Sequence, residues 1–510
     1  MKKLLKYLFI GMFGVLCLSS CSNDMLETEP TDSMSGSTFM SDASKALVPL
    51  NGIYRSMYTA GWSTTGNTHQ CFGISAYHLM AEVMGEDCIM SGSGSGWFWY
   101  DCCYNVKKFY DRTTWRSYDL WMAYYTWISN ANYIIAAEET MGGSSEDVGY
   151  VIGQAYAIRA YSYFMLAQTF ARTYKGHESE PCVPIYTEPT FTTTTGQPRS
   201  SVAEVYAQIE SDINKAIELL KLHPTQLHPT HMGYAVALGI KSRIALVEEK
   251  WQEAYDAAVA AIAASKCSIL PVSSFMGNNS VNNANVMWGA EIVNDQAGMY
   301  ASLMAHMDTL AYGETAHKQI SITLYNKMKS TDTRLAWWDP NDETYSDAGY
   351  IQRKFQFSDI QTWLGDYIWM RVEEMYLNAA EAACHFNEGV AKEYLMALMS
   401  VRDPNYTCNK TGTALGALTT DETGSLLEEI ILQRRLELWG EDGRIYTIRR
   451  LRQGFKRTAD MGWPSNARLA SVETADPESY AWVLTIPQAE FDGNENMDPV
   501  KDQNPMGDKK

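Results

Sequence analysis

Along most of the chain, apolar residues recur three and four positions apart, the spacing of helices buried on one face. Ser201-Val202-Ala203-Glu204 has the form of a capping box, and Val205, Ile209, Ile213, Ile217 and Leu220 then line one helical face. His223-Pro224 ends that helix. A preceding helix is predicted over 153–172, with Tyr156, Tyr161, Phe164 and Phe170 as its bulky residues. A second pair spans 233–247 and 251–264. Its small residues (Ala235, Gly239 and Ser242, then Ala254, Ala257, Ala258 and Ala261) let two helices approach closely. A third pair covers 366–386 and 388–401, turning at Asn387-Glu388-Gly389, and an earlier one joins 42–58 to 117–140. The predicted fold is mostly α: tetratricopeptide-like helical hairpins of irregular period forming a scaffold. Two long irregular inserts interrupt it, about 59–116 and 266–365, and long loops in a compact protein are usually functional.

The first residues follow another pattern. Lys2, Lys3 and Lys6 precede an apolar run from Leu8 to Leu18, a charged region and a hydrophobic region of secretory length. The run ends in Leu18-Ser19-Ser20-Cys21, which resembles a bacterial lipobox. Residues 1–20 therefore read as a lipoprotein signal peptide, with Cys21 the lipidated residue; several acyl chains make such anchoring durable. Residues 21–41 are polar, acidic and rich in Ser, which predicts a flexible tether. Residues 42–510 form the expected single body.

Composition narrows the partners. Removal of residues 1–20 takes three lysines and no acid, so Lys+Arg falls from 41 to 38 against 60 Asp+Glu, a net charge of −22. Such a surface repels phosphate backbones, and nucleic acid is not an expected partner. Eight cysteines follow Cys21 without a CxxC, so neither a zinc ribbon nor a redox motif is indicated.

The C-terminal half carries more specific marks. Arg371-Val372-Glu373-Glu374-Met375-Tyr376-Leu377-Asn378-Ala379-Ala380-Glu381-Ala382 resembles the R-x-x-E-x-Y-L-x-x-A-E-A helix of the SusD/RagB family, and Val401-Arg402 matches the close of that family's next helix. The segment from Ile430 to Arg444 is similar to its I-x-x-E-R-R-x-E-L-x-x-E-G-x-R stretch, with Gln433 in place of the usual acid and Asp442 between Glu441 and Gly443. Ile486-Pro487 and Gln503-Asn504-Pro505 resemble its closing marks, and Leu50-Asn51-Gly52-Ile53-Tyr54, the 155–170 helix and Pro198-Arg199-Ser200-Ser201-Val202 also fit. The resemblance implies a non-catalytic lipoprotein on the outer membrane, without cofactor. Such proteins bind oligosaccharides or polysaccharide and deliver them to a SusC-like TonB-dependent transporter. Alternatives are a peptide-binding RagB-like receptor, a surface glycoside hydrolase and a purely structural adaptor.

Candidate ligand residues lie in the inserts. Ser91-Gly92-Ser93-Gly94-Ser95-Gly96 leads into Trp97-Phe98-Trp99-Tyr100-Asp101. Sugar rings stack their C–H faces on aromatic rings, while neighbours such as Asp101 and Asn105 would take hydroxyl hydrogen bonds. Trp97, Trp99, Tyr100, Asp101 and Asn105 are the first candidates, and Trp62, Trp288 and Tyr300 the second. The Gly run lacks the Gly-Lys-Ser/Thr end of a phosphate loop and the serine of a nucleophile elbow. His223, His228 and His231 sit among prolines and read as a turn rather than a metal site. Asp339-Pro340-Asn341-Asp342-Glu343 opens like a calcium loop, but Thr344 stands where the EF-hand needs Gly. Glu373, Glu374, Glu381, Glu437 and Glu441 neighbour arginines at helical spacing, which predicts structural ion pairs.

Overall fold

The helical periodicity resolves into helices, several of which start at a side-chain cap. The structure, a computed structural model, describes residues 36–60, 66–90, 96–105, 115–310, 312–341, 350–470 and 472–505. The main helices are α1 (Ala43–Ser56), α2 (Ile74–Val83), α3 (Trp115–Ile135), α4 (Ser145–Phe170), α5 (Val202–Leu220) and α6 (Tyr234–Val247). They continue as α7 (Trp251–Ser265), α8 (Val372–Cys384), α9 (Glu388–Arg402), α10 (Leu426–Glu437) and α11 (Arg444–Arg450). Ser201 closes its capping box with Glu204 in both directions, and Ser144, Asn387 and Ser425 cap α4, α9 and α10. Among the described residues no helix is long and apolar enough to cross a membrane.

Most scaffold helices pack on their successors: α3 on α4, α4 on α5, α5 on α6, α6 on α7, α7 on α8 and α8 on α9. Small residues decide how closely. A Cβ on Gly153 of α4 would lie 2.8 Å from Leu220 Cγ of α5. Ser242 of α6 reaches the Ala254 carbonyl of α7 at 3.0 Å, as the small-residue pattern predicts. Gly239 instead faces Met370 and Met375, where a Cβ would sit 2.5 Å from Met370 Sδ.

Among the described residues, six short strands complete the framework: β1 (Cys88–Met90), β2 (Val286–Ala290), β3 (Lys318–Ile320), β4 (Trp338–Asp339), β5 (Ile351–Gln352) and β6 (Tyr367–Arg371). Strand β6 corrects the helix expected over 366–386. Tyr367-Ile368-Trp369-Met370-Arg371 is rich in β-branched and aromatic residues, and it pairs antiparallel with β2 with all five side chains buried; the helix begins only at Val372. The inserts are also less irregular than expected, since the first supplies α2 and β1 and the second β2 to β5. Strand order β1-β3-β5-β4 joins them, with Cys88 opposite Ile320 and Met90 opposite Lys318.

Buried charges lock the C-terminal segments together. Arg371, at the end of β6, places Nη1 3.1 Å from Glu437 Oε1 and Nε 2.7 Å from Glu441 Oε2. Arg402 of α9 gives Glu437 two further hydrogen bonds, at 2.8 and 2.9 Å, and reaches Glu373 at 3.2 Å. Burial pushes the Glu437 carboxyl up, but Arg402, Arg371 and Arg334 outweigh it and hold the group well below the usual carboxylate range. A second set ties β1 to the scaffold: Arg435 of α10 clamps Asp87 at 2.7 and 2.8 Å, and Arg444 of α11 reaches Glu86 at 2.8 Å. The carboxylates singled out in the sequence are thus internal pairing groups. Replacing Glu437 with Leu removes the carboxylate shared by three fully buried guanidinium groups, those of Arg334, Arg371 and Arg402, and we expect a loss of about 3–5 kcal/mol in denaturant unfolding. A loss below about 1 kcal/mol would show that this network does not hold the fold.

Candidate functional site

Beside the β1–β3 pair the aromatic residues of the two inserts meet. The first side of the site is built around Phe98. Its backbone is left-handed (φ 63°), its ring is fully buried, and its N–H donates to Gln70 Oε1 at 2.6 Å. That conformation is costly for a bulky residue and persists only where packing over-determines it. Phe98 packs edge-on against His306 at 5.0 Å and lies 6.2 Å from Phe72. Turning Phe98 inward leaves Trp97 half-buried against the neighbouring rings.

The second insert supplies Tyr300, 43% exposed, and Tyr312, half-buried. His69 sits between the sides. Its ring stacks on Tyr300 at 5.6 Å with planes 14° apart, and lies 5.1 Å from Trp97 and 5.6 Å from Tyr312. Tyr312 is also 5.6 Å from Trp97 and 5.0 Å from Tyr300, and its hydroxyl is hydrogen-bonded to His69 Nδ1. Four rings from separate segments therefore form one continuous platform. Below it, His306 donates from Nε2 to the His69 carbonyl at 2.7 Å and stacks under Tyr312 at 5.2 Å. Burial drives the His306 imidazole down to about 3, so this supporting group is neutral at ordinary pH.

Of the candidates read from the sequence, Trp97 and Tyr300 come together here. Trp99 is half-buried against the core, Tyr100 is 47% exposed one residue further on, and Asn105 is half-buried. Asp101 is committed to an internal ion pair. It is completely buried and bidentate with Arg116, at 3.0 Å for both bonds, and Arg116 in turn holds the Gln70 carbonyl at 2.8 Å. Trp288 is likewise a core residue. It is 0% exposed, donates Nε1–H to the Thr230 carbonyl at 2.9 Å and packs against Tyr161 and Trp369. Trp62, Cys21, the Ser91–Ser95 run and the Asp342–Thr344 part of the calcium-like loop lie outside the described residues. His69, Tyr312 and His306 were missed in the sequence, because nothing in their local pattern sets them apart from other polar and aromatic insert residues.

The other chemistry considered has structural partners. His231 is hydrogen-bonded to Tyr150 through Nδ1 at 2.9 Å and to Asn51 through Nε2 at 2.7 Å. Burial, with a smaller contribution from His228, lowers its imidazole to about 4. Among the described residues no group of three or more His, Cys, Asp or Glu is placed to hold a metal. Glu441 and Asp442 line a cavity of about 50 Å³, which is room for water rather than a sugar.

Comparison with known proteins agrees with this architecture. Residues 79–246 match a family described as "Starch-binding associating with outer membrane", and residues 283–506 match the SusD family; together they take in most of the chain. A SusD-like carbohydrate binding protein from Bacteroides vulgatus ATCC 8482 is similar in structure, with a TM-score of 0.74 at 24% identity over 89% of this chain and 97% of that one. A SusD superfamily protein from Bacteroides thetaiotaomicron VPI-5482 has a TM-score of 0.71 at 21% identity, covering 91% of this chain and all of that one. Surface glycan-binding protein A from Bacteroides thetaiotaomicron, in complex with laminarihexaose, has a TM-score of 0.66 at 15% identity, covering 88% and 97%. No curated protein matches the sequence. With two family matches in order along a helical scaffold of the same shape, the chain belongs to the SusD/RagB family.

Proposed function

We propose that this protein captures oligosaccharides on the cell surface and delivers them, unmodified, to a SusC-like TonB-dependent transporter while lipid on Cys21 holds it to the outer membrane. The observation that carries the binding step is the platform of His69, Trp97, Tyr300 and Tyr312. Its rings offer flat apolar faces to the C–H faces of sugars, and its imidazole and phenol edges are available to hydroxyl groups. Family membership and the match to a structure in complex with laminarihexaose support a glycan as ligand. Non-catalytic capture is supported by the carboxylates nearest the family motifs, which are committed to buried arginines. The secretory run and Leu18-Ser19-Ser20-Cys21 support the anchor.

In calorimetric titration with laminari-, malto- and cello-oligosaccharides, at least one series binds the intact protein, and Trp97→Ala with Tyr300→Ala weakens it roughly tenfold or more. Undiminished affinity would remove the platform from the site, and chromatographic release of shorter sugars would overturn non-catalytic capture. For the anchor, Cys21→Ser moves the protein from the membrane fraction to the soluble fraction. Continued membrane retention of that variant would refute lipid attachment at Cys21.

A further inference from the structure

Gln70 joins two rings of the platform without belonging to it. It directly follows His69, and at 5% exposure it offers a ligand almost no surface. Its amide oxygen accepts the Phe98 N–H at 2.6 Å, and Phe98 directly follows Trp97. Trp97 itself sits in a turn closed by the Trp99 N–H on the Gly96 carbonyl at 3.1 Å. The orientation of that turn therefore depends on the left-handed Phe98, whose buried N–H has Gln70 as its acceptor.

The backbone of Gln70 is held as well. Arg116 of α3 donates from Nη1 to the Gln70 carbonyl at 2.8 Å, while its Nε and Nη2 grip Asp101, both at 3.0 Å. Asp101 lies in the short helix Trp99–Cys102, which begins where the Trp97 turn ends, and the Cys102 N–H returns to the Phe98 carbonyl at 2.9 Å. The contacts close a circuit: Gln70 to Phe98, along the backbone to Asp101, from Asp101 to Arg116, and from Arg116 back to Gln70. In such a circuit of buried groups no member turns without leaving another unpaired, which is costly. His69 is fixed from behind in its turn, because His306 donates to its carbonyl at 2.7 Å. The 5.1 Å between the His69 and Trp97 rings is thus set by groups beneath the surface.

We infer that Gln70 is a positioning residue for ligand capture: through the Phe98 amide it holds Trp97 in register with His69, so the rings are aligned before a ligand arrives. Rings aligned in advance lose little freedom on binding, and this strengthens the complex. The inference rests on the platform being the ligand surface, and it concerns a residue behind the rings rather than on their faces.

Gln70→Met and Gln70→Glu separate the hydrogen bond from the packing. Methionine keeps the length of the side chain without its acceptor, and glutamate keeps both. In the ligand-free intact protein, amide hydrogen exchange over residues 96–99, read by mass spectrometry, speeds up roughly tenfold or more in Q70M and stays slow in Q70E. In calorimetric titration with laminari-, malto- and cellohexaose, Q70M weakens the hexaose that binds by roughly fivefold, and Q70E keeps its affinity within about twofold of the parent protein. The loss runs through Trp97, so Q70M added to W97A weakens binding by less than about twofold more. Unchanged exchange in Q70M, an equal loss of affinity in Q70E, or the full loss repeated in the W97A background would each overturn the inference and leave the platform standing. Parent-like affinity of W97A/Y300A, or no binding of any hexaose, would instead remove the platform reading and this inference with it.

Discussion

Everything in the C-terminal half depends on neutralising Glu437. A carboxylate with no solvent access is tolerable only if cations and hydrogen bonds replace its water, and here Arg371, Arg402 and Arg334 converge on it from β6, α9 and the segment before β4. Because each arginine arrives from a different element, the network fixes their mutual placement and not merely their proximity. Desolvation makes every partial arrangement costly, so the network acts as a register lock. The arginines and glutamates of the family motif are therefore packing residues with charge.

A smaller network of the same kind transmits that order to the aromatic platform. Asp87 and Glu86 immediately precede β1, and Arg435 and Arg444 hold them against α10 and α11. The Asp87 carbonyl also accepts from Trp439 Nε1 and from the Ser321 N–H, so one residue joins the first insert, the second insert and the scaffold. With β1 pinned, β3 can pair with it in one register, and the residues flanking the two strands are brought face to face. Trp97 lies after β1 and Tyr312 before β3, which is why rings distant in sequence share one surface. The left-handed Phe98 completes the arrangement by turning one ring into the core beside another that stays at the surface.

The platform is made of rings whose edges carry few formal charges, and it suits ligands with extended C–H faces. The platform lies where the two inserts meet over the helical scaffold. Helical hairpins set geometry, and the intervening segments carry the exposed rings.

Much of the scaffold is legible in the sequence because its causes are local. Helical spacing, the Ser201–Glu204 capping box and the turn at Asn387 each depend on neighbours a few residues away, and the structure reproduces them. The arginine–carboxylate motifs also announce ion pairs, although not which partner each finds. Tyr367–Arg371 misled because its side chains suit strand and helix alike; pairing with β2, some eighty residues earlier, settled it as a strand. The same holds for the site. Gly-rich and aromatic composition points to the inserts and to Trp97 and Tyr300, but composition is blind to burial. Only tertiary structure sends Trp288 into the core and Asp101 onto Arg116. Only tertiary structure brings His69 and Tyr312 into the platform, because a surface made from four separate segments has no local signature in any of them.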